Sequence, residues 1–229
     1  MALRSSSVPM SPDSIHAHPA WFGSVMGSAG LAIVLSNEAE TWQAAWIDVI
    51  AAAVLIVAIA FAVALIPRYV RRVFHPESLR AEIADPSTGP MLGTFPAGIL
   101  LLAGACGVVG TTIALWIDAI LLTLGALLAL GLSIMWAALT SRGEMGLASV
   151  HGGWLIPPAM NLLVPLAIIP LVFANPGTAP ILVLAGFAYL GIGALLFLAV
   201  FAMIVARVMM CPPGSALMAP SLWVPLAPA

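Results

Sequence analysis

The sequence has no lysine and few charged residues of any kind. Charged residues make up 7% of its 229 residues, whereas soluble domains carry about 25%. Hydrophobic residues make up 62%, and the mean hydropathy is +1.14. A soluble chain this apolar could not cover its own surface with polar groups. The composition therefore excludes a soluble globular protein and indicates an integral protein of the lipid bilayer.

Cysteine is scarce, and the N-terminal segment has no apolar run. Cys106 lies within an apolar stretch and Cys211 beside a predicted cytoplasmic end, so we expect no disulfide between them. Residues 1–15 are rich in serine and proline and hold one arginine. This pattern predicts a disordered cytoplasmic tail and no cleavable signal peptide. The first membrane helix would then direct insertion.

Residues suited to catalysis or metal binding are scarce as well. The four histidines lie near predicted cytoplasmic ends, and no two are four residues apart on a membrane helix, as a metal or haem site would favour. His16 and His18 could together bind a ligand, although interfacial histidines are the simpler interpretation. No Ser-His-Asp set, nucleophile elbow or carboxylate pair occurs at membrane depth. We therefore expect no enzyme activity, no metal and no other cofactor.

Long apolar stretches predict an all-α, polytopic membrane protein. They give six full spans and part of a seventh, within one transmembrane domain that covers residues 16–229. Each full span has about 20 residues or more, the length that crosses the hydrocarbon core of a bilayer. The predicted spans are 18–37, 45–67, 91–116, 119–139, 152–174, 181–205 and the partial span 216–229.

The fifth predicted span is apolar but rich in proline. It contains Pro157, Pro158, Pro165 and Pro170. A proline inside a helix removes a backbone donor and leaves a carbonyl without its partner, and at membrane depth that carbonyl needs a partner from protein or a water-lined cavity. Asn161 lies near the middle of the span, where a polar side chain normally points inward. The pattern predicts a kinked helix that faces a pore or a helix bundle.

Two kinds of span alternate along the chain. Odd-numbered spans are rich in glycine and proline with an aromatic residue nearby, whereas even-numbered spans are uniformly aliphatic. The repeat predicts hairpins of one inner and one outer helix around a central pore, although glycine and proline are also common in membrane helices generally. The motifs recur at roughly 60 to 75 residues and are Trp21-Phe22, Phe95-Pro96, Trp154 to Pro158 and Trp223 to Pro225.

The distribution of charge predicts an orientation. All seven arginines fall in the N-terminal tail or in alternate loops, which places the N-terminus in the cytoplasm by the positive-inside rule. Asp48 and Asp118 would then begin helices at the outer surface, where a carboxylate suits a helix N-terminus. A tight turn near Asp118 would join the third and fourth spans. Since no ionisable residue lies at the predicted span centres, a proton relay is not expected.

A pathway without charged residues would be lined by backbone groups and small polar side chains, with aromatic rings as plugs. Such a lining suits an ion that is stabilised by weak dipoles and limited by a steric gate. Aromatic residues are equally typical of packing and of the interfacial belt. The candidate pore-lining residues are Phe22, Met26, Phe95, Pro96, Pro157, Pro158, Asn161, Trp223 and Pro225.

Four motifs follow one another in a recognisable order. They are His18-Pro19-Ala20-Trp21-Phe22-Gly23-Ser24-Val25-Met26-Gly27, Gly93-Thr94-Phe95-Pro96, Trp154-Leu155-Ile156-Pro157-Pro158 and Ala219-Pro220-Ser221-Leu222-Trp223. Together they resemble the tellurite-resistance/dicarboxylate transporter family, which includes slow-type anion channels of plants, fungal malate carriers and sulfite efflux pumps. The resemblance extends from His16 to the end of the chain.

The resemblance implies ten helices in five inner–outer hairpins around an anion pore, cytoplasmic termini and a homotrimer with one pore per subunit. The chain supplies six of these helices and the beginning of a seventh, and the family's phenylalanine gate, in the ninth helix, has no counterpart in it. We expect an inner-membrane channel or passive exporter for chloride, nitrate, sulfite, tellurite or C4-dicarboxylates, with no nucleic-acid partner. The alternative is a non-conducting fragment or scaffold that needs the missing helices.

Overall fold

The computed structural model describes residues 19–142 and 146–211. Within these ranges there is no strand, and six of the seven α-helices are long and apolar enough to cross a membrane. This confirms the prediction of an all-α, polytopic membrane fold. The predicted tail at 1–15 and the partial span at 216–229 lie outside the described residues. The helices are α1 (Gly23–Trp42), α2 (Ala45–Val73), α3 (Pro76–Ala84), α4 (Thr94–Val108), α5 (Thr112–Ser141), α6 (Ile156–Ala174) and α7 (Ala179–Met210).

The six spanning helices pack as three consecutive hairpins, α1–α2, α4–α5 and α6–α7. Helix α4 packs between α1 and α6, so these three helices form an inner layer. In the apolar stretch around α4, 83% of the residues are buried, against 17% in the stretches around α2 and α7. The aliphatic helices α2, α5 and α7 therefore form an outer layer, in agreement with the predicted alternation of inner and outer helices.

Each inner helix begins with a short 3₁₀ segment. Pro19–Phe22 precedes α1, Gly89–Gly93 precedes α4 and Gly152–Leu155 precedes α6. The middle segment contacts the other two, so all three lie at the same end of the bundle, which we call the 3₁₀ end. The end opposite to it is called the far end.

Most of the inner-helix prolines start helices. Pro96 lies in the first turn of α4, and Pro157 and Pro158 lie in the first turn of α6. The first N–H groups of a helix have no partner within it, so proline loses nothing there. The expectation that Pro157 and Pro158 kink the span is therefore wrong. Only Pro165 and Pro170 lie inside α6.

The turn between the third and fourth spans lies earlier than predicted. Gly110 has a φ of +72°, a left-handed conformation that glycine adopts without strain. The Thr111 side chain then accepts a hydrogen bond of 3.3 Å from the Ala114 N–H and caps α5, as threonine does at helix N-termini. Helix α5 therefore starts at Thr112, which corrects the predicted boundaries at 116 and 119. Asp118 lies within the helix and not at the turn.

Three other helices run past the predicted ends of their spans. Helix α1 continues to Trp42, α2 passes through Pro67 to Val73, and α7 reaches Met210. The predicted ends mark where apolar sequence stops, but polar residues can continue a helix into the aqueous phase. Apolarity therefore indicates the hydrocarbon layer better than it indicates the helix bounds.

Glycine determines how closely α5 approaches α4. A Cβ added at Gly125 would lie 2.8 Å from Leu100 Cγ on α4, whereas a Cβ added at Gly131 would meet no atom within 4 Å. We expect Gly125→Leu to lower the apparent melting temperature of the purified protein in detergent, because overpacking of this kind costs about 1–3 kcal/mol. Gly131→Leu, on the same helix, is the matched control. Equal melting temperatures for both variants would contradict this close contact.

Candidate functional site

Three aromatic rings meet at the 3₁₀ end. The Phe22 and Phe95 ring centroids are 4.7 Å apart and nearly perpendicular, and Tyr69 stacks on Phe95 at 4.1 Å. The Tyr69 hydroxyl donates a hydrogen bond of 3.3 Å to the Leu92 carbonyl. Edge-to-face and stacked rings stabilise such contacts beyond the area that they bury. The cluster joins the 3₁₀ segment before α1 to inner helix α4 and outer helix α2, and it brings two of the predicted pore-lining residues together.

These two phenylalanines differ in exposure. Phe22 is only 2% exposed, whereas Phe95 is half-buried. Met26, one turn after Phe22, is also half-buried and packs against both the α1–α4 core and the α4–α6 core. Pro96 is buried. Of these four candidates, Met26 and Phe95 are therefore the ones with side-chain surface available to a pathway.

Asn161 connects an inner helix to an outer one. It is fully buried, and its Nδ2 donates to Ser133 Oγ on α5 at 2.6 Å and to the Pro157 carbonyl at 2.9 Å. Its Oδ1 has no partner among the described residues. Pro157 and Pro158 are buried beside it. The structure thus places Asn161 at the contact between α5 and α6.

His151 and Trp154 hold the loop between α3 and α4. Trp154 is fully buried, and its Nε1 donates to the Pro86 carbonyl at 3.0 Å. The same carbonyl lies 3.1 Å from His151 Nε2. His151 Nδ1 accepts from the Gly153 N–H at 3.1 Å, so the proton of the neutral ring is on Nε2, which donates to Pro86. This contact requires the neutral imidazole, since a proton on Nδ1 would face the Gly153 donor.

The surroundings of His151 favour that neutral form. Burial lowers the pKa of His151 below its ordinary value of 6.5, and the positive charge of Arg207 lowers it further. The Pro86 carbonyl and the negative charge of Asp85 oppose this shift but do not reverse it. His151 was expected at a cytoplasmic end with no assigned role. The sequence offers one signal for its position, the Gly152-Gly153 pair that lets the imidazole fold back onto the backbone.

Asp118 is the titratable residue that sequence reasoning placed wrongly. It was expected to be an exposed cap at the outer surface, but it lies in the second turn of α5 and is 0% exposed. Neither carboxylate oxygen has a hydrogen-bond partner among the described residues. A Cβ added at Gly107 of α4 would collide with Asp118 Oδ2 and with the Pro170 ring of α6. The carboxylate thus occupies a space between two inner helices.

The remaining candidates cannot be placed. Trp223 and Pro225 lie outside the described residues. Within the described ranges, no three His, Cys, Asp or Glu side chains are close enough to hold a metal ion.

The loop contact at His151 has an expected pH dependence. Because the pKa of His151 in the folded protein lies below 6.5, protonation favours the released loop. The contact is complete above about pH 6.5 and weakens as the pH falls below it. Hydrogen exchange of the backbone at residues 85–93 should accordingly speed up between about pH 7 and pH 5, after correction for the intrinsic rate.

His151→Gln is the control for this prediction. Glutamine keeps an N–H donor for the Pro86 carbonyl but does not titrate in this range. The corrected exchange rates of the variant should be the same at both pH values. If they change as much as those of the original protein, another group and not His151 is responsible.

Comparisons with known proteins agree with this architecture. The family model described as SLAC1, voltage-dependent anion channel, matches residues 16–229. An uncharacterized transporter of Methanocaldococcus jannaschii is 26% identical over 212 residues, which are 92% of this chain and 60% of that relative's length. No solved structure matches the chain at a significant level. The family match confirms the resemblance seen in the motifs and is consistent with a protein that is not an enzyme. This multi-pass membrane chain belongs to the voltage-dependent anion channel family.

Proposed function

We propose that this chain carries small anions across the cell inner membrane, as a channel or passive exporter whose path runs along the inner helices. The observation that carries the proposal is the uncharged inner layer of a member of an anion-channel family. Helices α4 and α6 contain no charged residue, and α1 has none before Glu38. An anion in such a path meets backbone and side-chain dipoles, and these stretches of the three inner helices contribute no carboxylate of their own.

The helix directions favour anions at one mouth of the path. All three inner helices begin at the 3₁₀ end. Helix N-termini carry partial positive charge, which attracts anions. Three of them at one end give a favourable potential to an anion that approaches from that side.

The charged side chains support an orientation for this end. Arginines lie near the ends of α2, α5 and α7 at the 3₁₀ end, whereas the far end holds Glu38, Glu40 and Asp48. By the positive-inside rule, the 3₁₀ end faces the cytoplasm and so does the N-terminus. The helix N-termini would then attract anions from the cytoplasmic side, which suits export.

Half-buried residues are the best candidates for the lining. We assign Met26 and Phe95 to the path because both keep some exposed surface on inner helices. The remaining described candidates are buried, and we assign them a supporting position behind this lining. They are Phe22, Pro96, Pro157, Pro158 and Asn161. Trp223 and Pro225 would extend the lining in a fourth inner helix. A lining without charge selects by size and by the cost of removing water, so chloride, nitrate, sulfite, tellurite and C4-dicarboxylates are all candidate substrates.

The assembly is also part of the proposal. We assign the chain to a homotrimer in the lipid bilayer, with one path in each subunit, by analogy with the family that its motifs resemble. The chain spans about 60% of the length of the transporter that it matches. Purification in mild detergent and measurement of the mass of the assembly would test the subunit number.

Anion flux into liposomes tests the proposal directly. Purified protein should pass chloride and nitrate in preference to potassium. Met26→Glu should reduce the anion flux at least about tenfold, because a fixed negative charge in the path repels an anion by more than 1.4 kcal/mol at close range. Met26→Leu, which conserves volume and charge, is the matched control and should keep most of the flux.

Two results would count against this function. Equal permeability to anions and cations would show that the path does not select by charge. Absence of flux from folded protein would favour the alternative, a non-conducting scaffold that needs further helices. A separate result concerns Met26 alone. If the flux through Met26→Glu equals the flux through Met26→Leu, the added charge has no effect at this position, and Met26 does not line the path.

A further inference from the structure

The carboxylate of Asp118 is buried in the membrane-spanning part of the protein, and no described residue compensates its charge. It is 0% exposed, and both of its oxygens lack a partner among the described residues. An isolated carboxylate that leaves water without a partner is strongly disfavoured in its ionised form, so it takes up a proton instead. In the membrane, a buried ionisable residue of this kind is a functional site by default.

The residues around Asp118 offer neither a cation nor a strong donor. Gly107 lies beside it on α4, next in the chain to the buried Cys106, and Pro170 lies beside Gly107 on α6. Glycine has no side chain, proline has no N–H, and a thiol is a weak donor. A hard metal ion would need several more oxygen ligands than this space contains. A proton is the ligand that the site can hold.

Among the described arginine side chains, none lies close enough to neutralise Asp118. Arg142 follows the last turn of α5, and Arg207 lies in the last turn of α7, both at the 3₁₀ end. Asp118 lies in the second turn of α5 at the far end. Helix α5 has 30 residues and is about 45 Å long, so charges at its two ends interact weakly even in a medium of low dielectric constant.

The space for the carboxylate is created by glycine on the neighbouring inner helix. Any side chain at Gly107 would collide with Asp118 Oδ2 and with Pro170. Pro170 also leaves the Leu166 carbonyl, one turn deeper in α6, without its helical N–H partner. Asp118 therefore lies where α4 passes a weakened turn of α6. It is buried behind the surface of the inner layer, but in a medium of low dielectric constant its charge acts over several ångströms on an ion in that layer.

We propose that Asp118 is a proton-binding site at the far end that links anion transport to pH. The transport part of this inference rests on the proposed function, because that function supplies the anion whose passage the proton would control. A proton from water on the far side binds one carboxylate oxygen and gives a neutral carboxyl group, and its release returns the negative charge. The ionised carboxylate repels an anion in the path, whereas the neutral group does not. Acid on the far side therefore raises the anion flux.

Few other titratable groups lie near this site, and their effects can be separated from that of Asp118. Cys106 is the one on α4, α6 has none, and α7 contributes Tyr189, whose hydroxyl donates to the Ala126 carbonyl at 3.0 Å. At the surface of the far end are the carboxylates Glu38, Glu40 and Asp48. Asp48 is exposed, so it provides a control for a simple effect of surface charge.

The experiment combines infrared spectroscopy with flux. In reconstituted protein, difference spectra between acid and alkaline pH should show the C=O stretch of a buried protonated carboxyl group that persists at neutral pH. The band should be absent in Asp118→Asn and present in Asp48→Asn. This readout does not depend on transport.

Flux in the same liposomes tests the link to transport. Chloride flux through the original protein and through Asp48→Asn should rise several-fold as the pH on the far side is lowered from alkaline values, at which Asp118 is ionised, to neutral pH, whereas Asp118→Asn should give a high flux that does not respond. Absence of the infrared band at neutral pH would overturn the proton site. If the chloride flux through Asp118→Asn still depends on pH as it does in the original protein, the link between the Asp118 proton and transport is overturned. If the infrared band is present at neutral pH and lost in Asp118→Asn but no chloride flux occurs at any pH, the proton site is supported and the proposed transport is rejected.

Discussion

The close approach of α4 to its two inner neighbours is the constraint on which the rest of the structure depends. In lipid, no hydrophobic effect drives helices together, so they associate through tight packing of small residues and a few polar contacts. A Cβ at Gly98 would lie 3.3 Å from the ring of Phe22, which directly precedes α1, and one at Gly104 would lie 3.3 Å from Ala167 on α6. Glycine on α4 thus determines the spacing of the inner layer, and the outer helices follow by their short connections.

At the 3₁₀ end, hydrogen bonds add to the close packing of the inner helices. The Thr94 hydroxyl donates to the Pro19 carbonyl at 2.8 Å and joins the start of α4 to the segment before α1. Trp154 and His151 reach across to the Pro86 carbonyl. These contacts link segments that are 65 to 75 residues apart in the chain. The far end has glycine contacts and the buried Asp118 carboxylate, which has no hydrogen-bond partner among the described residues. The two ends of the inner layer are therefore held together differently.

Much of this arrangement could be predicted from composition and spacing. Apolar stretches separated by arginine-bearing loops predict six spans, and the recurring Phe95-Pro96 type of motif predicts which helices are inner. The misplaced features depend on local backbone chemistry that hydropathy does not detect. Gly110 and Thr111 end one helix and cap the next, yet the apolar residues that follow look like a continuation of the first. Asp118 was misplaced with that turn. The Asn161–Ser133 contact joins residues on different helices and has no signature in spacing.

The inner and outer layers differ greatly in helix length. Helix α4 has 15 residues and is about 22 Å long, whereas α7 has 32 residues and is about 48 Å long. The outer helices have 29 to 32 residues and exceed the ~30 Å hydrocarbon layer, so they tilt or continue into the water beyond it. With its 3₁₀ segment, the α4 stretch Gly89–Val108 has 20 residues, so the inner layer is about as long as the hydrocarbon layer is thick. A transmembrane voltage would fall across the short inner layer, so that each step of an ion along it crosses a larger share of the electric field.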